Sequence, residues 1–306
     1  MSNSLHQPVL LNESVEYLRA ASGKKIIDGT FGFGGHSKVI LQKGAEVLGI
    51  DLDIHAVNAC KVLAEENDRL ACFHGSFREI KKAITEQGWE NCDGILLDLG
   101  VSSYQLDDPT KGFTYRQDTN LDMRFNQTTG RTAADILAES SEGELADIIY
   151  QYGEERKSRR IARAIVNTRT EDGISTTKQL KDCVESAIGK GPTLNASLSR
   201  VFQAIRIAVN DELSSLSDTL VDAVDALAPK GRLVVISYHS LEDRIVKKYF
   251  ALESTGCICP SEFPECRCSH QASIKLVTRK PVVAHDDELT TNPRSRSAKL
   301  RVVEKK

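Results

Sequence analysis

The sequence has no long apolar run. Nothing in its 306 residues approaches the ~18 consecutive apolar positions of a membrane-spanning helix. The start, MSNSLHQPVLLNESVEYL, lacks a basic head and an apolar core, so it does not read as a secretory signal. There is no internal repeat and no low-complexity tract, which excludes a solenoid or a tethering tail. Charge of one sign is not in excess either: the net charge is −3, which argues against a wholly basic nucleic-acid-binding domain but leaves room for a local basic face. Four of the eight cysteines, Cys60, Cys72, Cys92 and Cys183, stand singly in apolar surroundings. They read as buried thiols of a reducing compartment, not a disulfide framework, and the expected location is cytoplasmic.

What is there is a rhythm. Over the first hundred residues short apolar runs alternate with helical patterns: KKIIDGT, EVLGIDLD, RLACFHGSF and CDGILLDLG as strands, HSKVILQKG, IHAVNACKVLAEEN and REIKKAITEQ as helices. Runs apolar on both faces, separated by helices, predict an α/β fold with a parallel sheet covered on both sides. The next convincing strand, GRLVVISYH, begins at Gly231, 133 positions after Asp98. A crossover needs only about a dozen residues or a little more, so roughly a hundred residues of helical pattern are inserted there. Two extended runs near the end, ASIKLVTRK and KLRVVEKK, suit a closing antiparallel pair at one sheet edge.

Between the first strand and the first helix, Gly29, Gly32, Gly34 and Gly35 crowd the stretch DGTFGFGGHS. A phosphate-binding loop needs lysine after its second glycine, and Gly35 stands there. The dinucleotide pattern G-x-G-x-x-G starts at Gly32 and Gly34 and fails at Ser37, which counts against a nicotinamide-dependent oxidoreductase. What remains is Asp28 followed by a loose glycine cluster, a form that suits a nucleoside without a pyrophosphate, such as S-adenosylmethionine. Asp51 ends the second strand, where a carboxylate can accept from ribose hydroxyls. Phe77 offers an apolar plate for adenine, and Asp98 ends the fourth strand. All lie where open parallel sheets bind ligands, beyond the carboxyl ends of their strands.

The motifs DGTFGFGGHS, DGILLDLGVSSYQLDD, FQAIRIAVNDEL, ISYHSLEDRIVK and NPRSRSAKLR together resemble the RsmH (MraW) family of bacterial ribosomal RNA methyltransferases, over nearly the whole chain. The resemblance implies a class I (Rossmann-like) methyltransferase sheet with a helical insertion between the fourth and fifth strands. The methyltransferase domain would comprise residues 1–105 and 211–306, and the substrate-recognition insertion residues 106–210. It further implies methyl transfer from S-adenosylmethionine to the exocyclic N4 of a decoding-site cytidine (cytidine 1402) in 16S ribosomal RNA within the small ribosomal subunit. A homodimer is admitted by the sequence but not required. Carried over by position, the cofactor contacts are Gly34, Gly35, His36, Asp51, Phe77, Asp98 and Gln105. Tyr104 stands where the family usually has proline, which loosens that loop.

Methylation of a ring carbon of cytosine generally needs a cysteine nucleophile, and no cysteine sits just after the fourth strand, where one would be expected. An exocyclic amine needs only an acceptor that directs its lone pair. Asp98 and then His239 are the candidate catalytic groups; the alternatives are that Asp98 holds the cofactor's amino group and that His239 organises a strand end. Tyr104, Phe113, Tyr115 and Tyr238 are candidates to stack on a flipped base, or else core. Arg156, Lys157, Arg159, Arg160, Arg163 and Arg169 form either a solvated helix face or a phosphate-contacting one. Arg294 and Arg296 either contact RNA or pair with SLED. Cys257, Cys259, Cys266 and Cys268 form two C-x-C pairs, tighter than the usual C-x-x-C. They read as a tetrahedral zinc set or as an exposed cysteine-rich loop, and no metal ligand is assigned on sequence alone.

Overall fold

The computed structural model describes residues 8–171, 173–260, 262–263 and 265–306. Along the chain run α1 (Leu11–Leu18), β1 (Lys25–Asp28), α2 (Gly35–Gln42), β2 (Glu46–Asp51), α3 (Ile54–Glu65), β3 (Leu70–His74), α4 (Ile80–Glu86) and β4 (Cys92–Asp98). Then come α5 (Ser103–Asp107), α6 (Ala133–Glu139), α7 (Glu142–Gly153), α8 (Ser158–Glu171), α9 (Thr177–Ile188) and α10 (Leu194–Asn210). The chain closes with α11 (Glu212–Ala226), β5 (Leu227–Ser237), α12 (Ser240–Glu253), β6 (Ile274–Leu276), α13 (Asp286–Thr291) and β7 (Lys299–Lys305). Two compact units result: Met1–Gly100 with Leu213–Lys306, and Val101–Glu212.

The first unit is built on a seven-stranded sheet in the order β3-β2-β1-β4-β5-β7-β6. β1 to β5 pair in parallel, and β7 runs antiparallel to both β5 and β6. Alternate residues along each strand point to opposite faces, so a strand apolar throughout serves two cores. Ile27, Leu48, Ile50, Ile95, Leu97 and Val235 face one core, closed by Ile80 and Ile84 of α4, Leu216 and Leu220 of α11, and Val246 and Phe250 of α12. Ile26, Val47, Leu96, Val234 and Ile236 face the other, closed by Val15 and Leu18 of α1 and Ile40 and Leu41 of α2. Each such side chain contributes ~1.5–3 kcal/mol when fully buried.

The cysteine expectation needs a correction. Cys60 on α3 and Cys72 on β3 form a disulfide, with Cα atoms 6.0 Å apart. The short turn from α3 into β3 lays the helix back along the strand, and their spacing in sequence does not reveal that approach. Cys92 and Cys183 are free and buried. Burial pushes the Cys92 thiol up to about 12.

The second unit is helical and has its own core. Leu145 and Ile149 of α7, Ile161 and Ile165 of α8, Leu180 and Val184 of α9, and Leu198, Val201, Phe202 and Ile205 of α10 recur at helical spacing and pack together. Thr132, Ser141 and Thr176 cap α6, α7 and α9 in reciprocal boxes with Asp135, Glu144 and Gln179. The helical run through Asn210 and Asp211 is broken: Asp211 takes a left-handed conformation at φ 49°. Asn210 is occupied elsewhere, accepting from Phe125 N at 2.8 Å and donating to Met123 O at 2.7 Å. Among the described residues no helix is long and apolar enough to cross a membrane.

Candidate functional site

The strand order of the first unit reverses between β1 and β4, and ligands of open parallel sheets bind at such a switch point. Asp28, Asp51 and Asp98 are the last residues of β1, β2 and β4. Parallel pairing in register brings their carboxyl ends to one edge, Asp28 opposite Leu96 and Asp51 opposite His74.

Asp28 is buried and accepts from Ser37 Oγ at 2.6 Å. His36, on the first turn of α2, is also buried, with Nε2 3.2 Å from Val9 O and Nδ1 3.8 Å from Asp98 Oδ2. Burial pushes the Asp28 carboxyl up and the His36 imidazole down, each partly opposed by the charge of the other. Asp51 takes backbone N–H groups on both oxygens, from Gly32 and from Asp53, each at 2.8 Å. Burial still raises it, to about 6. Asp98 Oδ1 accepts from Tyr238 OH at 2.7 Å, while its backbone N–H donates to Thr30 Oγ1 at 2.7 Å. Burial lifts Asp98 to about 7, and the Tyr238 hydrogen bond pulls it part of the way back. Its side chain keeps 23% of its surface exposed, so the carboxyl remains reachable.

The glycine loop is shaped first by the chain itself. Gly34 sits at φ 73°, and a Cβ there would stand 2.7 Å from Phe31 Cζ. Phe31 is buried and its ring also lies against Gly49 of β2, a slot that no side chain could share. A Cβ at Gly35 would collide with the Pro8 ring. Gly34 and Gly35 therefore let the loop close over Phe31 and Pro8, and the Gly32 N–H then reaches Asp51. Phe77 opens the short 3-10 turn Phe77–Glu79 after β3, half-buried against the core.

His239 precedes α12 and caps it. Its Nδ1 accepts from Glu242 N at 3.4 Å, and its Nε2 lies 3.1 Å from Glu242 Oε1 but off the hydrogen-bonding direction. Buried Glu242 returns the cap, accepting from Tyr238 N at 2.8 Å and His239 N at 3.2 Å.

Comparison with known proteins decides the family. The profile of the MraW methylase family matches residues 3–306. The chain belongs to that family. It is 48% identical to the ribosomal RNA small subunit methyltransferase H of Heliobacterium mobile, over 98% of each chain. It is 47% identical to that of Carboxydothermus hydrogenoformans, over 98% of this chain and 97% of the relative. A putative methyltransferase from Streptococcus mutans, solved in complex with SAH, is 11% identical with a TM-score of 0.43, over 97% of each chain. At that overlap it adds nothing to the assignment. As a MraW-family protein the chain is a methyltransferase with a Rossmann-like sheet, and its methyl donor is S-adenosylmethionine. The strand-end residues suit that donor: the partly exposed Asp51 and Asp98 carboxyls offer acceptors to a ligand rich in hydroxyls, with Asp28 buried behind them.

Other residues singled out in the sequence have more local roles in this MraW-family chain. Gln105, buried in the second unit, closes the capping box of α5, its Oε1 accepting from Ser102 N at 3.0 Å. Phe113 belongs to the core of that unit, and Tyr115 packs edge-on to Phe202 with its hydroxyl 3.0 Å from Ser199 Oγ. Phe113 is buried there, while Tyr115 is partly exposed. Tyr104 is 42% exposed. Tyr238 is a donor to Asp98, a role that its type alone did not disclose. Arg156, Lys157, Arg159, Arg160 and Arg163 are exposed, with Arg163 3.3 Å from Glu142. Arg169 leaves the basic set, because its guanidinium donates to Leu137 O and Ser140 O at the end of α6. The SLED acid Asp243 is paired with Arg301 at 2.7 Å and Lys299 at 3.3 Å, from β7.

Proposed function

We propose that this protein methylates the exocyclic N4 of a decoding-site cytidine in 16S ribosomal RNA. The observation that carries the reading is Asp98, an acceptor held by Tyr238 at the end of β4 with 23% of its side chain exposed. The one cysteine of that strand, Cys92, stands at its opposite end with its thiol pushed up to about 12, so it is no ring-attacking thiolate. The name shared by the relatives supports small-subunit ribosomal RNA as the substrate.

When bound, S-adenosylmethionine supplies an electrophilic methyl group on a sulfonium sulfur. Asp51 accepts from the ribose hydroxyls while its two backbone partners hold it still. The backbone of Gly34 and Gly35 lets the ligand approach closely, with His36 behind it, and Phe77 flanks the adenine. Asp98 would accept from the cytosine amino group, aim its lone pair, and receive the proton that becomes acidic as the new N–C bond forms and the methyl–sulfur bond breaks, the donor's sulfur leaving as a neutral thioether. A carboxyl near 7 can take that proton and return it to water at neutral pH. Much of the acceleration is positional. His239 orders the start of α12 beside Tyr238 and acts through that positioning.

The test uses small subunits from cells lacking the enzyme, incubated with labelled donor and digested to nucleosides. Label is expected in N4-methylcytidine. Label on carbon 5 would overturn the assignment, and tight RNA binding without label would make the protein an assembly factor instead.

The exposed arginines of α8 support an RNA-facing role. Replacing Arg159, Arg160 and Arg163 together is expected to weaken RNA binding and to flatten its salt dependence by up to ~0.7–0.9 per lost phosphate contact. Affinity for S-adenosylmethionine should not change. Equal salt slopes for variant and parent, measured by filter binding, would leave α8 a solvated face.

A further inference from the structure

We propose that Cys257, Cys259, Cys266 and Cys268 bind one structural Zn2+ ion in the segment that joins α12 to β6. The proposal is independent of the methyl-transfer reading.

The four sulfurs converge. All lie within 4.8 Å of one another. Cys266 Sγ and Cys268 Sγ are 3.6 Å apart, and Cys268 Sγ and Cys257 Sγ are 3.9 Å apart. A tetrahedral ion with Zn–S bonds of ~2.3 Å sets its ligands ~3.8 Å from each other. The observed separations fall on either side of that edge length. They do not fit disulfides, whose sulfurs stand ~2.0 Å apart, and Cys60 and Cys72 of this same chain are joined in that way.

The backbone is arranged for thiolates. Ile258, between the first two cysteines, donates its N–H to Cys268 Sγ at 3.4 Å. Arg267, between the second two, donates to Cys259 Sγ at 3.2 Å. Each C-x-C turn thus supports a sulfur of the other, the kind of outer-shell donor that orients metal ligands. The tight spacing read from the sequence is what puts the middle N–H of each turn within reach across the pair.

The segment also needs a fastener. It has no helix or strand among its described residues from Ser254 to Ser273, and structureless stretches of that length are uncommon in compact domains. Its base is tied: Ser273 N donates to Glu253 O at 3.0 Å, and His270 Nε2 lies 3.2 Å from Leu252 O. His270 is not among the groups that converge with the four sulfurs. Nearer the tip, Ile258 and Phe263 are about half exposed, at 48% and 49%. A bound ion supplies the cross-link that a core would otherwise provide. Four sulfur ligands in a tetrahedron suit Zn2+ or iron, and the proposal commits to zinc.

The full-length protein, purified with a thiol reductant and without chelator, is expected to carry about one zinc per chain by elemental mass spectrometry. An organomercurial should release it to a chromogenic chelator. In Cys257→Ser/Cys266→Ser the zinc content should fall at least tenfold, with affinity for S-adenosylmethionine unchanged. Should that variant not fold, the parent still decides. Zinc-loaded protein should resist alkylation of these four cysteines and proteolysis near residue 263, and protein stripped by chelator should lose both protections. A parent that is metal-free and takes up no Zn2+ on dialysis would overturn the proposal. So would zinc retained in the double variant, iron in place of zinc, or disulfides among the four in the reduced preparation.

Discussion

Asp98→Asn is expected to lower methyl transfer a hundredfold or more and, at pH 8, to raise the thermal midpoint of the protein. The two effects have one origin. Burial holds the Asp98 carboxyl at about 7 against an ordinary value of 3.8. Between those values the folded protein keeps a proton that the unfolded chain has released. Stability from this group therefore falls as pH rises through that window, and above it the native state carries an unfavourable buried charge. Asparagine removes the charge and can still accept from Tyr238. It also turns one oxygen into a donor, which opposes an incoming amine, and it cannot take a proton. A hundredfold loss corresponds to ~2.7 kcal/mol of transition-state stabilisation. The parent's rate should climb as pH passes through about 7, while the residual rate of the variant stays flat. The gain in thermal midpoint should shrink towards pH 5, where Asp98 of the parent is itself neutral. An Asn variant within threefold of the parent's rate would remove Asp98 from catalysis. A stability gain equal at pH 5 and pH 8 would show that the buried charge is not its source.

The strands were legible because burial on both faces leaves few polar positions, and their acidic ends stood out against that background. Asp28, Asp51 and Asp98 could be read as strand-end groups from IIDG, GIDLD and LLDLG alone. Partner choice was less legible, since it is tertiary. The spacing of α3 and β3 does not tell that Cys60 and Cys72 face each other. Phe31 looks like one more aromatic in a glycine loop, yet it fills the slot that requires glycine at positions 34 and 49. Tyr238 was legible as an aromatic near the site, but its hydroxyl, not its ring, meets Asp98. Arg169 continues the basic run of α8 in sequence and leaves it in space, because the carbonyls at the end of α6 lie within its reach.

Asp51→Ala is expected to weaken S-adenosylmethionine binding about a hundredfold, by two losses that act together. The carboxylate holds the glycine loop through Gly32 N and the start of α3 through Asp53 N, each at 2.8 Å. Hydrogen bonds to a charged group contribute ~1.5–3 kcal/mol each, and alanine forfeits them along with the acceptor offered to the ribose. Asparagine at this position keeps one acceptor and should fall between alanine and the parent. The pH dependence separates a binding role from a merely structural one. Burial raises Asp51 to about 6, and a ligand that donates to the carboxylate favours its ionised form. Binding by the parent should therefore weaken as pH falls through about 6, and calorimetry in buffers of different ionisation enthalpy should show protons released on binding in that range. The alanine variant should release fewer protons and lose that part of the pH slope. Affinity unchanged from the parent, or weakened with the pH slope and proton release intact, would mean that Asp51 serves the loop and not the ligand.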